Sequence, residues 1–185
     1  MADGNCPSSE SQGARVGAER ESVIGTGAVG TVDALDLTLD AHVHTGFSAG
    51  RDSVGVIVSA ADQAGLSSVT FADQVGPDTS WLPAYADAVR RARRRTEMTL
   101  RVAAEVEVVQ PDGWLAWPAD LGHLEAISVA VSRLPLPGGP FGAREVRAML
   151  AAGELTAEQV AETLVTATVR GLERASRYAP TQLAR

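Results

Sequence analysis

From Leu35 onward, the chain alternates between strand-like runs and amphipathic helical patterns, and this alternation limits the folds open to it. The segment LDLTLDAHVH at residues 35–44 alternates apolar and polar side chains, as a strand with one covered face does. Further strand-like runs lie at residues 67–73, 100–109 and 126–132, and helical patterns separate the first three runs. This order predicts an α/β fold with a largely parallel sheet or barrel.

The helical patterns have recognisable starts and apolar faces. Asp52 or Ser53 can cap a first helix, whose apolar residues recur at i, i+3, i+4 and i+7 from Val54. A second helix is predicted from the stripe that begins at Leu82. After residue 133 the segment LPLPGGPFG cannot continue a central strand, and two helices followed by a short tail are predicted beyond it.

The N-terminal part of the chain differs in composition. Residues 1–31 are rich in Gly, Ser, Glu and Ala, and the first 22 have no apolar period, so a disordered tail is predicted there. The folded domain is predicted over residues 32–185, with a helical C-terminal segment at 142–175. A GxGxxG pattern at residues 25–30 suggests dinucleotide binding as a minor alternative, but no full strand precedes it and no helix follows it.

The composition excludes several function classes. All 16 basic residues are arginine, so a Walker A phosphate loop, a Schiff-base lysine and a covalently held pyridoxal cofactor are ruled out. The single Cys6 cannot form an internal disulfide. A net charge of −7 argues against nucleic acid as a partner, because phosphate contacts need clustered positive charge.

The sequence also bears on location. It contains no run of about 20 apolar residues, the length that a membrane span requires. The N-terminus lacks the basic and then apolar order of a signal peptide. We therefore expect a cytoplasmic protein with no membrane partner.

Two of the three histidines, His42 and His44, end the first predicted strand. Residues two apart on a strand share a face, so both imidazoles and Asp40 project together. Such a pair at a strand end can hold one Zn, Mn or Fe ion; the alternative is a pair of solvated histidines.

Carboxylates end the next two predicted strands, and in a parallel sheet they lie at the same rim. Asp73 ends the second strand, and Glu105 lies near the end of the third with Glu107. Asp73 alone is also consistent with a loop cap, and Glu107 with an exposed strand residue. The candidate ligands are therefore His42, His44, Glu105 and Asp73.

Four segments together resemble the first four motifs of the polymerase and histidinol phosphatase (PHP) superfamily, in the same order and at similar intervals over residues 35–133. They are DAHVHTGFSAG (40–50), GLSSVTFADQ (65–74), AAEVEVVQPDG (103–113) and LEAISVAVS (124–132). The resemblance implies a distorted (β/α)7 barrel, here partial, that binds up to three divalent metals and hydrolyses phosphoesters.

The resemblance places His42 and His44 at the two histidines of the first metal, and Glu105 at the glutamate that two metals share. Other ligand positions depart from the family: Ala49 and Gly50 replace a ligand of the first motif, and Gln74 and Ser132 stand where histidines are usual. The family's last ligands have no counterpart before Arg185. The retained positions belong to one metal site, so one divalent ion is expected.

Two functions follow from the resemblance. The first is a metal-dependent phosphoesterase that acts on a small phosphorylated molecule, with hydrolysis that is slow or absent. The alternative is a catalytically inactive PHP-like metal-binding or interaction module. A partial barrel leaves an open sheet edge, which the helices from Glu145 onward or a second subunit of a homo-oligomer would have to cover.

Overall fold

The computed structural model describes residues 36–184. The predicted tail at residues 1–31, which includes the GxGxxG segment, lies outside the described residues. The described part is an α/β structure with four helices and a five-stranded parallel sheet, which confirms the predicted class. In chain order its elements are β1 (Leu39–Val43), α1 (Val54–Gln63), β2 (Ser68–Val75), α2 (Leu82–Arg93), β3 (Thr99–Glu107), β4 (Ala126–Ala130), β5 (Leu134–Leu136), β6 (Gly139–Phe141), α3 (Ala143–Ala152), α4 (Ala157–Ala175) and β7 (Thr181–Leu183).

The main sheet is parallel throughout and has the strand order β1-β2-β3-β4-β7. It curls into a half-barrel, so the carboxyl ends of the strands form one concave rim. The curl is sufficient for Gln182 on β7 to donate a hydrogen bond of 2.7 Å to the carbonyl of Ala41 on β1, although these strands lie at opposite edges of the sheet.

The core lies between the central strands and helices α1 and α2. Val69, Phe71 and Val102 of the sheet are fully buried, as are Tyr85 and Val89 on the predicted apolar face of α2. Burial of continuous apolar runs is typical of parallel strands that are covered on both faces. Ser53 caps α1 as predicted, because its side chain accepts a hydrogen bond from the backbone of Val56.

Two sequence-based predictions are wrong. The first strand starts at Leu39 and not at residue 35, because Asp36 accepts hydrogen bonds from the backbone and hydroxyl of Thr38 and so forms a turn. The segment after α4 is not only a tail, since residues 181–183 form β7 and pair in parallel with β4. Three residues are too short for a periodicity signal, and the strand exists because the edge of β4 is available.

The C-terminal segment covers part of the sheet. Residues 134–141 form the hairpin β5–β6 outside the main sheet, and α4 packs against β4, β5 and β7. A Cβ at Gly113 would lie 2.5 Å from the Cβ of Arg170, and one at Gly171 would lie 2.8 Å from Val108. The two glycines therefore allow α4 to approach the loop after β3. None of the four helices in residues 36–184 combines the length and apolar character that crossing a membrane requires.

Candidate metal centre

Three side chains converge at the carboxyl-end rim of the sheet. The Nε2 atom of His42 lies 2.7 Å from Oε2 of Glu105, and Nε2 of His44 lies 3.1 Å from the same oxygen. The two Nε2 atoms are 2.9 Å apart. The side chains are 19%, 17% and 13% exposed respectively, so the three donor atoms are mostly buried and still reachable from solvent.

The strands explain how this cluster forms. His42 lies in β1 and His44 directly follows its last residue, Val43, so the two histidines stand at the strand end that the sequence predicts. Glu105 stands on β3, which is not the neighbour of β1, because β2 lies between them. The curl of the sheet brings the glutamate to the histidines across the concave side.

Glu105 is oriented by its neighbour on β2. Gln74 is in register with Glu105, and its amide nitrogen donates a hydrogen bond of 3.1 Å to Oε1. Oε2 is thereby left to face the two imidazoles. Burial alone would raise the pKa of the Glu105 carboxyl, but hydrogen bonds from Gln74 and His44 and the nearby charges of His42 and His44 hold it below its ordinary value.

The chemistry of this donor set fits a divalent cation. If both Nε2 atoms carried protons, two donors would face each other at 2.9 Å, and if neither did, three lone pairs would converge. If only one did, the other Nε2 would still place its lone pair against Oε2 of Glu105. A cation satisfies all three atoms at once. Two donors that share an ion at about 2.0–2.2 Å lie about 2.8–3.6 Å apart. The observed distances of 2.9 and 3.1 Å fall within this range, and the distance of 2.7 Å lies just below it.

The donor set of the cluster suits more than one type of metal. Two imidazoles and one carboxylate are the donors of hydrolytic zinc sites and of non-haem iron sites alike. Among residues 36–184, these three form the one group of ligand atoms close enough to hold an ion. The type of metal does not follow from the donor set.

Asp73 is the fourth ligand that the sequence predicts, and the structure places its carboxylate elsewhere. This fully buried side chain accepts hydrogen bonds from the backbone (2.8 Å) and hydroxyl (2.6 Å) of Thr45, and from the hydroxyl of Ser48. Both oxygens are therefore committed to the loop between β1 and α1. Asp73 therefore caps the loop that follows the histidines. This is the alternative role that its position at a strand end suggests in the sequence.

Glu107 is also outside the cluster. One of its carboxylate oxygens accepts hydrogen bonds from the backbone and hydroxyl of Ser132 and from the backbone of Arg133, and so fixes the turn after β4. Beside it lies a cavity of about 310 Å³ that reaches Glu105 of the candidate cluster and is lined by Gln74, Val75, Glu105, Glu107, Ser132 and Arg133. The sequence analysis did not single out Arg133, which directly follows the fourth motif and lines this cavity.

A wider groove of about 990 Å³ lies farther along the chain, between the β5–β6 hairpin, α4 and the loop after β3. None of the three cluster residues lines it. The donor atoms, and not the size of a cavity, therefore mark the candidate site.

Comparisons with known proteins leave the family open. The chain matches no protein-family model, and it has no significant match among curated proteins.

Proposed function

We propose that this protein is a PHP-like metal-dependent phosphoesterase that uses one divalent ion held by His42, His44 and Glu105. The observation that carries the proposal is the convergence of three donor atoms within 2.7–3.1 Å at the carboxyl-end rim of a curled parallel sheet. Barrel and open α/β folds alike build their sites at this rim.

A single ion is favoured by the residues around the cluster. Gln74 donates its amide to Glu105, and Ser132 donates its hydroxyl to Glu107. In the PHP family, histidines are usual at the positions that these two residues resemble. Here both side chains make hydrogen bonds within the protein. The remaining donors support one ion and leave little for a second.

The cavity beside the cluster suits a small phosphorylated molecule. When bound, a divalent ion polarises a water molecule and neutralises charge on the phosphoryl oxygens. Arg133 lines the same cavity as Glu105, and a guanidinium offers planar donors that match phosphate oxygens. Glu107 and Ser132 hold the turn that carries Arg133.

The second candidate is a PHP-like module that binds one metal and does not catalyse. The observation in its favour is the same loss of ligands at Gln74 and Ser132, because clamping of a phosphoryl group by two ions is then absent. If the first candidate holds, the same loss predicts slow hydrolysis.

The test is metal content per chain, measured by inductively coupled plasma mass spectrometry on untagged protein. We compare the wild type with the double variant His42→Ala, His44→Ala. The matched control is His123→Ala, because this histidine contacts Asp120 and Arg90 and lies outside the cluster. About one Zn, Mn or Fe per chain in the wild type and control, and none in the double variant, is the expected result.

Release of phosphate from a panel of phosphomonoesters then separates the two functions. Turnover that disappears in the double variant and survives in His123→Ala supports the enzyme. Metal without turnover on any substrate supports the binding module. Absence of metal from folded wild-type protein, even after incubation with excess ion, refutes both.

A further inference from the structure

The backbone immediately before His42 is irregular. Asp40 pairs with Val69 and Val43 pairs with Phe71, so Ala41 and His42 together face one residue of β2. This is a β-bulge, which interrupts the regular ladder and redirects the side chains that follow it. The peptide unit that joins Ala41 to His42 lies inside the bulge.

Side chains bind both polar groups of this peptide unit. Its N–H belongs to His42 and donates to Oδ1 of Asp40 at 3.2 Å. Its carbonyl belongs to Ala41 and accepts from the amide nitrogen of Gln182 at 2.7 Å. The orientation of the peptide therefore depends on two side chains as well as on the sheet.

Gln182 is itself held in place. It lies in β7 in register with Ser128 of β4, and its amide nitrogen also donates to the Ser128 hydroxyl at 2.9 Å. Ser128 is fully buried, so the hydroxyl that Gln182 contacts lies in the packed interior. The last strand of the described chain is thus connected through one side chain to the strand that carries the histidines.

We propose that Gln182 is a positioning residue that orients His42 for metal binding from the opposite edge of the sheet. The inference rests on the proposed metal site and adds to it a dependence on β7. Metal ligands must be held within about 0.5 Å of their working geometry. Loss of a group that orients a ligand typically weakens metal binding by about 10- to 100-fold.

The decisive variant is Gln182→Glu. A glutamate has nearly the same size and cannot donate to the Ala41 carbonyl while ionised. It therefore removes the hydrogen bond and places a carboxylate against an oxygen. Gln63→Glu is the matched control, because Gln63 is an exposed residue at the end of α1 and the substitution makes the same change in charge.

The experiment titrates each protein with Co²⁺ and records both the dissociation constant and the visible absorption spectrum at saturation. The spectrum reports the geometry around the ion, and a merely structural loss of stability does not alter it in the folded protein. We expect Gln182→Glu to bind Co²⁺ at least about tenfold more weakly, with a changed spectrum, and Gln63→Glu to match the wild type.

A second variant covers the case in which Gln182→Glu does not fold. Gln182→Met removes the amide donor to the Ala41 carbonyl and adds no charge, so it should weaken binding and change the spectrum in the same manner. Circular dichroism at the temperature of the titration verifies that each protein is folded.

The results that overturn the inference are distinct from those that overturn the proposed function. If the wild type binds Co²⁺ and a folded Gln182→Glu variant binds it as tightly, or more weakly with an unchanged spectrum, Gln182 does not position His42. With Gln182→Glu unfolded, a folded Gln182→Met variant that binds Co²⁺ like the wild type leads to the same conclusion. If the wild type itself binds no Co²⁺, the proposed metal site fails and the inference fails with it.

Discussion

Replacement of Asp73 distinguishes a structural carboxylate from a metal ligand. The side chain is fully buried and accepts three hydrogen bonds, two from Thr45 and one from Ser48. Each hydrogen bond to a charged group contributes about 1.5–3 kcal/mol, but neighbouring contributions are not additive. We expect Asp73→Ala to lower the free energy of unfolding by about 3–5 kcal/mol, near the upper limit for single substitutions.

Asp73→Asn is the informative companion. It retains one acceptor oxygen and the size of the side chain, so its cost should be about 1–2 kcal/mol. Urea denaturation followed by circular dichroism gives both values. For a domain of this size the alanine variant should also melt about 10 °C lower, at about 2–4 °C for each kcal/mol.

Metal content then tests the role directly. If Asp73 is structural, the folded Asp73→Asn variant retains the same amount of metal per chain as the wild type. If Asp73→Ala lowered the free energy of unfolding by less than about 1 kcal/mol, the structural role would be refuted, because the loss of three hydrogen bonds to a buried carboxylate should lower it by more. Loss of metal from a folded Asp73→Asn variant would restore the sequence-based prediction of a fourth ligand.

Two further predictions concern stability. Gly50→Ala should lower the free energy of unfolding by about 2–3 kcal/mol, because the added Cβ would clash with the carbonyl oxygen of His44. Gly55→Ala, inside α1, meets nothing within 4 Å and should leave this free energy unchanged or raise it by up to about 1 kcal/mol. Thermal unfolding compares the two variants, and equal melting temperatures would contradict the close approach at Gly50. Burial raises the pKa of the Glu125 carboxyl, but hydrogen bonds from Arg93 and from the backbone of Val102 lower it by more. A lowered folded-state pKa stabilises the fold above the unfolded value of about 4.5 and loses this effect as pH falls through the folded value. Glu125→Gln should therefore be less stable than the wild type at pH 7, by an amount that shrinks as the pH falls below about 4.5. A difference of the same size at pH 7 and at pH 3 would contradict this.

Much of the fold was predictable from local pattern. The apolar spacing from Val54 and from Leu82 defines the buried faces of α1 and α2, and Ser53 is readable as a cap. The strand character of β2 and β3 follows from their β-branched and apolar runs. These features depend on neighbours in sequence, so periodicity is sufficient to find them.

The candidate site was predictable only in part, since the choice among carboxylates depends on residues that are remote in sequence. Asp73 and Glu105 both lie near the ends of strands at the same rim, and their sequence positions alone do not show which of them is a candidate ligand. Thr45 and Ser48 bind Asp73, whereas Gln74 turns Glu105 toward the histidines. No local pattern distinguishes these two environments.

Local sequence is enough to define the alternation of strands and helices, the common face of His42 and His44, and the absence of any lysine chemistry. Long-range packing is needed to select Glu105 as the third member of the cluster, and to bring Gln182 on β7 to the strand of the histidines. The division arises because side-chain periodicity is a property of short segments. The curl of the sheet and the pairing of its last strand arise from the packing of the whole domain.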